Sequence, residues 1–205
     1  MTDLLTWSTS EADSKRRHIQ CDDGNTFTHK GGKYNWSFIC TSSSIPSQHD
    51  PFYFECELVK CRDVKVVSGV NVSHSGYIGF GFTTNNSNIK DTNPSSDLNT
   101  LGFDIFDGSI RTIQQRHTKS IENIANALDG DIFGILLKNI RLREQNYNML
   151  QGFLNGNKIG GPLIGDSIKL YPSIWMNCPG AIIKSNLGER PFKFHGTSGS
   201  KKCAS

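Results

Sequence analysis

The sequence lacks the features that mark membrane-spanning, exported and metal-binding proteins. No run approaches the roughly 18 apolar residues that a membrane-spanning helix needs. The start, MTDLLTWSTSEAD, has an early acidic residue and no apolar core of an export signal. The closest cysteines, Cys56 and Cys61, are separated by four residues, and no second pair complements them as a metal site requires. We therefore expect reduced thiols, no metal and no cofactor in a cytoplasmic protein, with the nucleus as the alternative location.

The sequence also lacks a large excess of either positive or negative charge. The 205 residues include 22 Lys and Arg against 19 Asp and Glu, which leaves a net charge of +3. Basic residues gather at positions 15–18 and 111–119, but no aromatic residues alternate with them as in many nucleic-acid interfaces. A hydrophobic content of 36% with 20% charged residues is typical of a globular domain. We expect a monomer with no nucleic-acid partner and no membrane partner.

What the sequence does contain is a series of short strand patterns. The run FYFECELV, residues 52–59, alternates with the period of two that predicts a strand with one wet face. In GYIGFGF, residues 76–82, glycines alternate with large apolar residues, which invites close approach of a backbone or a bulky side chain. The run DIFGILL, residues 131–137, is apolar on both faces, which is typical of a central strand.

The last long stretch contains two more strand patterns. Alternating apolar runs at residues 170–176 and 181–187 are joined by a turn-prone segment that contains Pro179 and Gly180. This arrangement predicts two strands that pair across the turn. A further break precedes residues 192–194, whose two phenylalanines we expect to clamp the end of the chain onto the body.

Helical periodicity is nearly absent from the sequence. Residues 121–128 have the spacing of one short helix, with Ser120 as its N-cap. Asn155 and Gly156 predict a tight hairpin turn, because both residue types tolerate positive φ. Many short strands separated by turns, with at most one or two short helices, predict an all-β fold that forms an antiparallel β-sandwich.

Several short motifs follow one another in a defined order along the chain. They are Phe52-Tyr53-Phe54-Glu55 for Y-F-E, Gly76 to Phe82 for G-x-x-G-x-G, Leu101 to Gly108 for G-Y…D-G, Gly130 to Gly134 for G-D-x-I-G, Asn155 to Gly160 for N-G-x-x-x-G, Leu170 to Pro172 for L-Y-P, and Asn186 to Phe192 for N-x-G…P-F. Together they resemble the SPRY domain, a module named after a kinase and the ryanodine receptor. Within that family, the chain is most similar to the SPRY domains of Ran-binding scaffold proteins of ubiquitin ligases.

The resemblance implies a concanavalin A-like jelly roll that recognises proteins and has no catalytic activity. It assigns residues 51–195 to the sandwich, residues 1–50 to an N-terminal extension packed on it, and residues 196–205 to a disordered tail. Residues 112–128 and 138–148 form longer segments than the family pattern has, so we expect loop shapes specific to this chain. The family's setting implies recruitment of substrates, or scaffolding, in a ubiquitin-ligase pathway.

The resemblance also implies that loops at one end of the sandwich bind a short peptide or a protein surface. Family peptide contacts come from the loop after the L-Y-P strand and the loop after the G-x-G strand. We add an aromatic N-terminal segment, because Trp and Tyr are frequent anchors of interfaces. The predicted binding residues are Tyr34, Trp36, Thr84, Asn85, Met176, Asn177 and Cys178.

Three other functions are alternatives to a protein-recognition module of a ubiquitin-ligase pathway. A glycan-binding lectin would share the sandwich, but its metal site would need Asp91, Asp97, Asp104 and Asp107, whose spacing matches no calcium loop. A secreted SPRY effector that binds a host protein is the second alternative. A hydrolase is disfavoured, because GTSGS around Ser198 misses the nucleophile elbow and the six histidines are scattered. We expect no enzyme activity.

Overall fold

The computed structural model describes residues 5–8, 18–31, 36–46, 51–60, 64–67, 70–73, 76–84, 100–105, 110–112, 115–117, 128–161, 163–165 and 169–194. The strands are β1 (Ile19–Cys21), β2 (Thr26–His29), β3 (Ser37–Cys40), β4 (Phe52–Lys60), β5 (Val64–Val67), β6 (Val70–Ser73), β7 (Ile78–Thr83), β8 (Thr100–Asp104), β9 (Ile110–Thr112), β10 (Gln115–His117), β11 (Ile132–Leu142), β12 (Gln145–Leu154), β13 (Asn157–Gly160), β14 (Leu163–Gly165), β15 (Tyr171–Met176) and β16 (Ile182–Asn186). The predicted all-β fold is confirmed, and these residues include no helix that could cross a membrane. The helix predicted at residues 121–128 lies outside the described residues, apart from Leu128.

Two antiparallel sheets enclose a common hydrophobic core. The eight-stranded sheet has the order β1–β2–β16–β4–β11–β12–β13, with β14 paired to β12. The six-stranded sheet has the order β10–β9–β8–β7–β15–β3, and β5 pairs with β6 in a separate hairpin. The core takes side chains from both sheets, and its fully buried aromatic members are Phe27, Phe54, Phe80, Phe82, Phe103 and Phe133. This is the predicted antiparallel β-sandwich.

Strand β4 shows how the period of two selects the core residues. Phe54, Cys56 and Leu58 point into the core and are at most 1% exposed. The neighbouring strand β11 is buried on both faces from Ile132 to Leu137, as predicted for a central strand. The opposite face of β4 is not fully wet, however, because the Glu55 side chain on that face is also buried.

The segment that buries Glu55 is the C-terminal strap, residues 192–194. The Glu55 carboxylate accepts the backbone N–H groups of Lys193 and Phe194, both at 2.9 Å, and the Tyr53 hydroxyl lies 3.2 Å from it. The first ring of the strap packs edge-on against the Tyr53 ring, with the centroids 4.8 Å apart. The predicted aromatic clamp is therefore present, and a buried carboxylate anchors it.

The two strands within residues 170–187 do not pair with each other. β15 lies in the six-stranded sheet between β7 and β3, whereas β16 lies in the eight-stranded sheet between β2 and β4. The connection between them, residues 177–181, therefore crosses from one sheet to the other, and we call it the crossing. The predicted hairpin is wrong, because alternation shows which face of a strand is buried and does not identify the neighbouring strand.

Strands that precede residue 51 complete both sheets. β2 pairs with β16 and carries β1 at its other edge, and β3 pairs with β15. Before them, Trp7 is buried and packs edge-on against Phe27, with the ring centroids 5.5 Å apart. The strands in residues 1–50 are thus integral to the sandwich as well as packed on it. The tail predicted at residues 196–205 lies outside the described residues.

The glycines of β7 admit a bulky neighbour, as their alternation predicted. Trp175 of β15 lies directly beside Gly79, and a Cβ at that glycine would overlap the indole. Trp175 is fully buried on the outer face of the six-stranded sheet, where it stacks on Phe38 at a centroid distance of 6.4 Å. Close packing of the indole against the backbone at Gly79 therefore fixes this part of the sheet.

The tight turn predicted at Asn155–Gly156 is also confirmed. These residues have φ values of 49° and 80°, and they join β12 to β13 where Leu154 pairs with Asn157. Asn and Gly adopt this backbone conformation at little cost, so the sequence alone was sufficient to place the turn.

Candidate functional site

Three strand ends of the six-stranded sheet meet at one end of the sandwich. Met176, the last residue of β15, pairs with the first residues of β3 and β7. The residues that precede β3 and β7 and the crossing that follows β15 are therefore close neighbours. We call this group, formed by Trp36, Tyr77 and residues 176–180, the Trp36 end.

The surface of the Trp36 end carries an aromatic pair. The rings of Trp36 and Tyr77 stack with their centroids 5.6 Å apart and an interplanar angle of 24°, and both side chains are partly exposed. The Tyr77 backbone N–H donates to the Asn177 side-chain oxygen, and the Asn177 backbone N–H donates to the Tyr77 carbonyl at 2.8 Å. These two hydrogen bonds hold the base of the aromatic pair against the crossing.

The crossing below the aromatic pair is tied to both sheets. The Gly180 N–H donates to the carbonyl of His29, the last residue of β2, at 3.1 Å. Within the crossing, the Ala181 N–H donates to the Cys178 carbonyl, also at 3.1 Å. The chain before β7 packs so closely here that a Cβ at Gly76 would overlap Cys178. The aromatic pair therefore stands on a well-connected floor.

Met176, Asn177 and Cys178 are interior residues of this floor. Their exposed fractions are 0%, 7% and 1%, and Met176 and Cys178 belong to the hydrophobic core. The side-chain oxygen of Asn177 is engaged by Tyr77. A partner docked on this surface would meet Trp36 and Tyr77 first. Direct contact of these three residues with a partner stays a prediction, and their burial shows that little of their surface is exposed.

The structure does not bring Thr84 to the Trp36 end. Thr84 follows the last residue of β7, and the six residues of that strand separate it from Tyr77. At roughly 3.3 Å per residue, the seven steps from Tyr77 to Thr84 span about 23 Å. Tyr34 and Asn85 lie outside the described residues. The predicted residues that the structure describes are thus divided between two ends of the sandwich.

Two buried titratable groups of the scaffold have raised pKa values. Burial raises the pKa of the Cys56 thiol well above its ordinary value, and the charge of Glu55 adds to this effect. Burial and the same carboxylate also raise the pKa of the Tyr53 hydroxyl. The described residues contain no cluster of three or more His, Cys, Asp or Glu side chains that could hold a metal. Of the four aspartates considered for a lectin site, Asp104 is fully buried and the others lie outside the described residues.

Sequence reasoning missed Tyr77 as a site residue. It is part of GYIGFGF, but the alternation of that motif concerns the strand, and Tyr77 lies just before β7 begins. The signal becomes visible only when β3, β7 and β15 are aligned in register, because the alignment places Tyr77 next to both Trp36 and Asn177.

The strand order and the two stacked sheets define an antiparallel β-sandwich of the jelly-roll type. More particularly, the chain has the fold of the SPRY domains. It is similar to a human SPRY domain, with a TM-score of 0.59 and 16% identity over 85% of this chain and 98% of that one. It is also similar to the SPRY domain of human HERC1, with a TM-score of 0.57 and 15% identity over 86% and 97% of the two chains.

A third similar structure is the TRIM65 PSpry domain, with a TM-score of 0.51 and 9% identity over 89% of this chain and 91% of that one. No protein-family model matches the sequence, and the comparison with curated proteins finds no match. The structural likeness confirms the SPRY resemblance at the level of the fold.

Proposed function

We propose that this chain is a protein-interaction module that binds a peptide or protein segment through the Trp36 end. The observation that carries the proposal is the partly exposed stack of Trp36 and Tyr77 above a crossing bonded to both sheets. The SPRY fold supports it, because the resemblance implies recognition of proteins by loops at one end of the sandwich.

The physical properties of the aromatic pair favour this use. Trp and Tyr are enriched among the residues that dominate binding energy, since a large ring buries much area with few rotatable bonds. The hydrogen bonds between Tyr77 and Asn177 order the surface before a partner arrives. Binding then loses less conformational entropy than it would on a flexible loop.

The cellular setting of this activity is a finer proposal. We take the chain to recruit substrates, or to act as a scaffold or adaptor, in a ubiquitin-ligase pathway, as a cytoplasmic monomer without catalytic activity. Support comes from the sequence motifs, which resemble those of the SPRY domains of Ran-binding scaffold proteins. A secreted effector that binds a host protein is the alternative. Cells that express the full-length protein can be separated from their medium to distinguish the two alternatives. Protein in the cytoplasmic fraction supports the first, and protein in the medium supports the second.

The binding test uses short random peptides that are displayed on phage and selected on the immobilised wild-type chain. For a synthetic copy of a selected peptide, we expect Trp36→Ala to raise Kd about tenfold or more, as for an interface anchor. The matched control is Thr84→Ala, at the opposite end, which should leave Kd unchanged. If every selected peptide binds equally to wild type and Trp36→Ala, with equal melting temperatures, the Trp36 end is not a binding surface.

A further inference from the structure

Strands β11 and β12 continue beyond their neighbour as a projecting ribbon. β4 pairs with β11 only as far as Phe52, opposite Leu137, whereas β11 and β12 stay paired until Leu142 faces Gln145. Five further residue pairs, about 17 Å of strand, therefore extend past the start of β4. We call residues 138–149 the ribbon. Of the other described strands, β14 pairs with the last three residues of the ribbon.

The ribbon lies at the opposite end of the sandwich from the aromatic pair. At the far end of β4, Lys60 pairs with Ile182, which directly follows the crossing. At the near end, the Phe52 ring packs against Phe82, with the centroids 6.3 Å apart. Phe82 is two residues before Thr84, so Thr84 and the ribbon share one end. Any function of the ribbon is therefore spatially separate from the Trp36 end.

One face of the ribbon carries apolar side chains outside the core. Its register places Ile140 directly opposite Tyr147, with Leu142 and Met149 on the same face. None of these four residues belongs to the buried hydrophobic clusters or to the side chains packed against them. Leu142 is 44% exposed, and the other three are partly exposed. The hydrophobic clusters of the described residues therefore do not cover this apolar strip.

The charges of the ribbon are mainly positive. The ribbon has three basic residues, Lys138, Arg141 and Arg143, and one acidic residue, Glu144. Its net charge is therefore +2. All four side chains are exposed. In the part of the chain that the structure describes, none of the four forms an ion pair. By the register, Lys138 lies on the same face as the apolar strip, whereas Arg141 lies on the opposite face. An unpaired basic side chain on the strip and another, Arg143, at its tip favour a partner that is both acidic and apolar.

The tip of the ribbon is held in an unfavourable backbone conformation. Arg143 and Glu144 have φ values of 46° and 68°, a left-handed region that residues with a Cβ seldom adopt. The next hairpin of the same sheet uses Asn155 and Gly156, the residues that such turns prefer. Outliers of this kind concentrate at functional positions, where the side chain is needed in spite of the backbone cost.

We propose that the ribbon is a second docking surface, which takes an acidic segment of another protein that also carries apolar side chains. The unpaired basic side chains attract the segment and set its orientation, and the apolar strip supplies area that binding removes from water. The strained tip keeps Arg143 at the outermost position of this surface. The inference goes beyond the proposed activity of the Trp36 end and does not depend on it.

Two other partners fit the ribbon less well. A hairpin that enters a lipid bilayer leads with apolar residues, whereas the outermost residues here are Arg143 and Glu144. A nucleic acid is bound mainly through many cationic contacts to phosphates. The net charge of the ribbon is only +2, and binding of a nucleic acid would not use the apolar strip. Vesicles and nucleic acid therefore serve as competing arms of the test.

The test selects short random displayed peptides on the Trp36→Ala chain, so that peptides for the Trp36 end are not retained. We expect acidic peptides with apolar residues. For a synthetic copy, Lys138→Glu with Arg143→Glu should raise Kd about tenfold, and added salt should weaken binding to the unsubstituted ribbon. The matched control, Lys30→Glu with Lys158→Glu, changes the net charge equally at exposed positions elsewhere and should leave Kd nearly unchanged.

A second variant separates binding from folding. Arg143→Asn places the residue that the turn prefers at its first position, so the melting temperature should rise, and it lowers the net charge of the ribbon from +2 to +1. Binding of the same peptide should nevertheless weaken severalfold, because Arg143 is lost. A ribbon that served only to stabilise the fold would show the rise in melting temperature with no loss of binding.

Several results would overturn the docking proposal. One is a failure to select acidic peptides, and another is an equal effect of the ribbon substitutions and their matched control. Tighter binding of duplex DNA, RNA or phosphatidylserine vesicles than of any selected peptide, abolished by the same ribbon substitutions, would assign the surface to those partners instead. Because the selection already lacks Trp36, each outcome is independent of whether the Trp36 end binds a peptide.

Discussion

The two ends of the sandwich are built in opposite ways. At the Trp36 end, a short crossing joins the sheets, and the exposed part is a pair of stacked rings on a bonded floor. At the other end, two strands extend past their neighbour and present unpaired basic and apolar side chains behind a strained turn. One surface is shaped by the connection between sheets, and the other by the excess length of two strands.

This difference teaches that one scaffold can offer two kinds of interface. An ordered aromatic surface gains affinity because little conformational entropy remains to be lost on binding. A projecting charged surface acts mainly through electrostatic attraction, so its association rate depends on salt. The Trp36 end is also continuous with the core, whereas the ribbon projects from it. Equivalent substitutions should therefore destabilise the protein strongly at the first end and weakly at the second.

The largest expected effect is that of Trp175→Ala. This fully buried indole belongs to a cluster against which Trp36 packs, so its removal leaves a cavity below the aromatic pair. We expect a loss of about 3–5 kcal/mol in the free energy of unfolding, measured by urea denaturation.

The control for this substitution is Trp175→Phe. The Nε1 atom of Trp175 has no hydrogen-bond partner, so the phenylalanine variant keeps much of the packing and loses no hydrogen bond. It should be clearly more stable than the alanine variant. A loss below about 1 kcal/mol for Trp175→Ala would mean that this end is not continuous with the core.

A smaller loss of stability is expected when an asparagine is replaced by alanine at each end of the sandwich. Asn177→Ala removes the side-chain acceptor of the Tyr77 N–H and should cost about 1–3 kcal/mol of unfolding free energy. Asn146→Ala, at an exposed position of the ribbon, should change it by no more than about 0.5 kcal/mol. Urea denaturation of both variants is the measurement. Equal losses would remove the distinction between the two ends.

The scaffold shared by both ends gives a pH-dependent prediction. Burial raises the pKa of the Cys56 thiol, so the folded chain keeps a proton that the unfolded chain releases above the ordinary value of 9.0. This stabilising contribution is complete below that pH and is lost as the pH rises toward the raised pKa. The loss is at most about 1.4 kcal/mol per pH unit. Urea denaturation on both sides of pH 9.0 should show a shallower decline for Cys56→Ala than for wild type.

The smallest effect is expected at the ribbon itself. Leu142 is exposed and belongs to no hydrophobic cluster, so Leu142→Ala should change the unfolding free energy by no more than about 0.5 kcal/mol. Thermal melting with wild type in parallel is a sufficient measurement. A loss near that of Trp175→Ala would show that the ribbon is packed against other parts of the chain, and the proposed docking surface would then be covered.

Much of the fold could be predicted because its strongest signals are local. The alternation in β4 selected Phe54, Cys56 and Leu58 for the core, and the glycine at position 79 predicted a bulky neighbour that proved to be Trp175. The SPRY motifs could be recognised for a similar reason, since many of them are turns and glycine positions that depend on a few adjacent residues.

Other features could not be predicted because they depend on distant neighbours. The alternation around Trp175 does not reveal that β15 and β16 belong to different sheets, and without that fact Asn177 resembles an exposed turn residue. Thr84 and Trp36 adjoin different ends of their strands, which only the antiparallel register shows. The alternation in β4 predicts that Glu55 faces solvent. It is instead covered by the strap, because Lys193, 138 residues further along the sequence, donates a backbone hydrogen bond to it.

The C-terminal strap determines how the domain responds to tension applied at the end of the chain. Its hydrogen bonds to Glu55 lie on the outer face of the eight-stranded sheet and belong to neither sheet. A force that pulls on the chain beyond Phe194 reaches these two bonds before it reaches β16. The strap should therefore peel away first, exposing Tyr53 and a buried carboxylate, while both sheets and both ends of the sandwich stay intact.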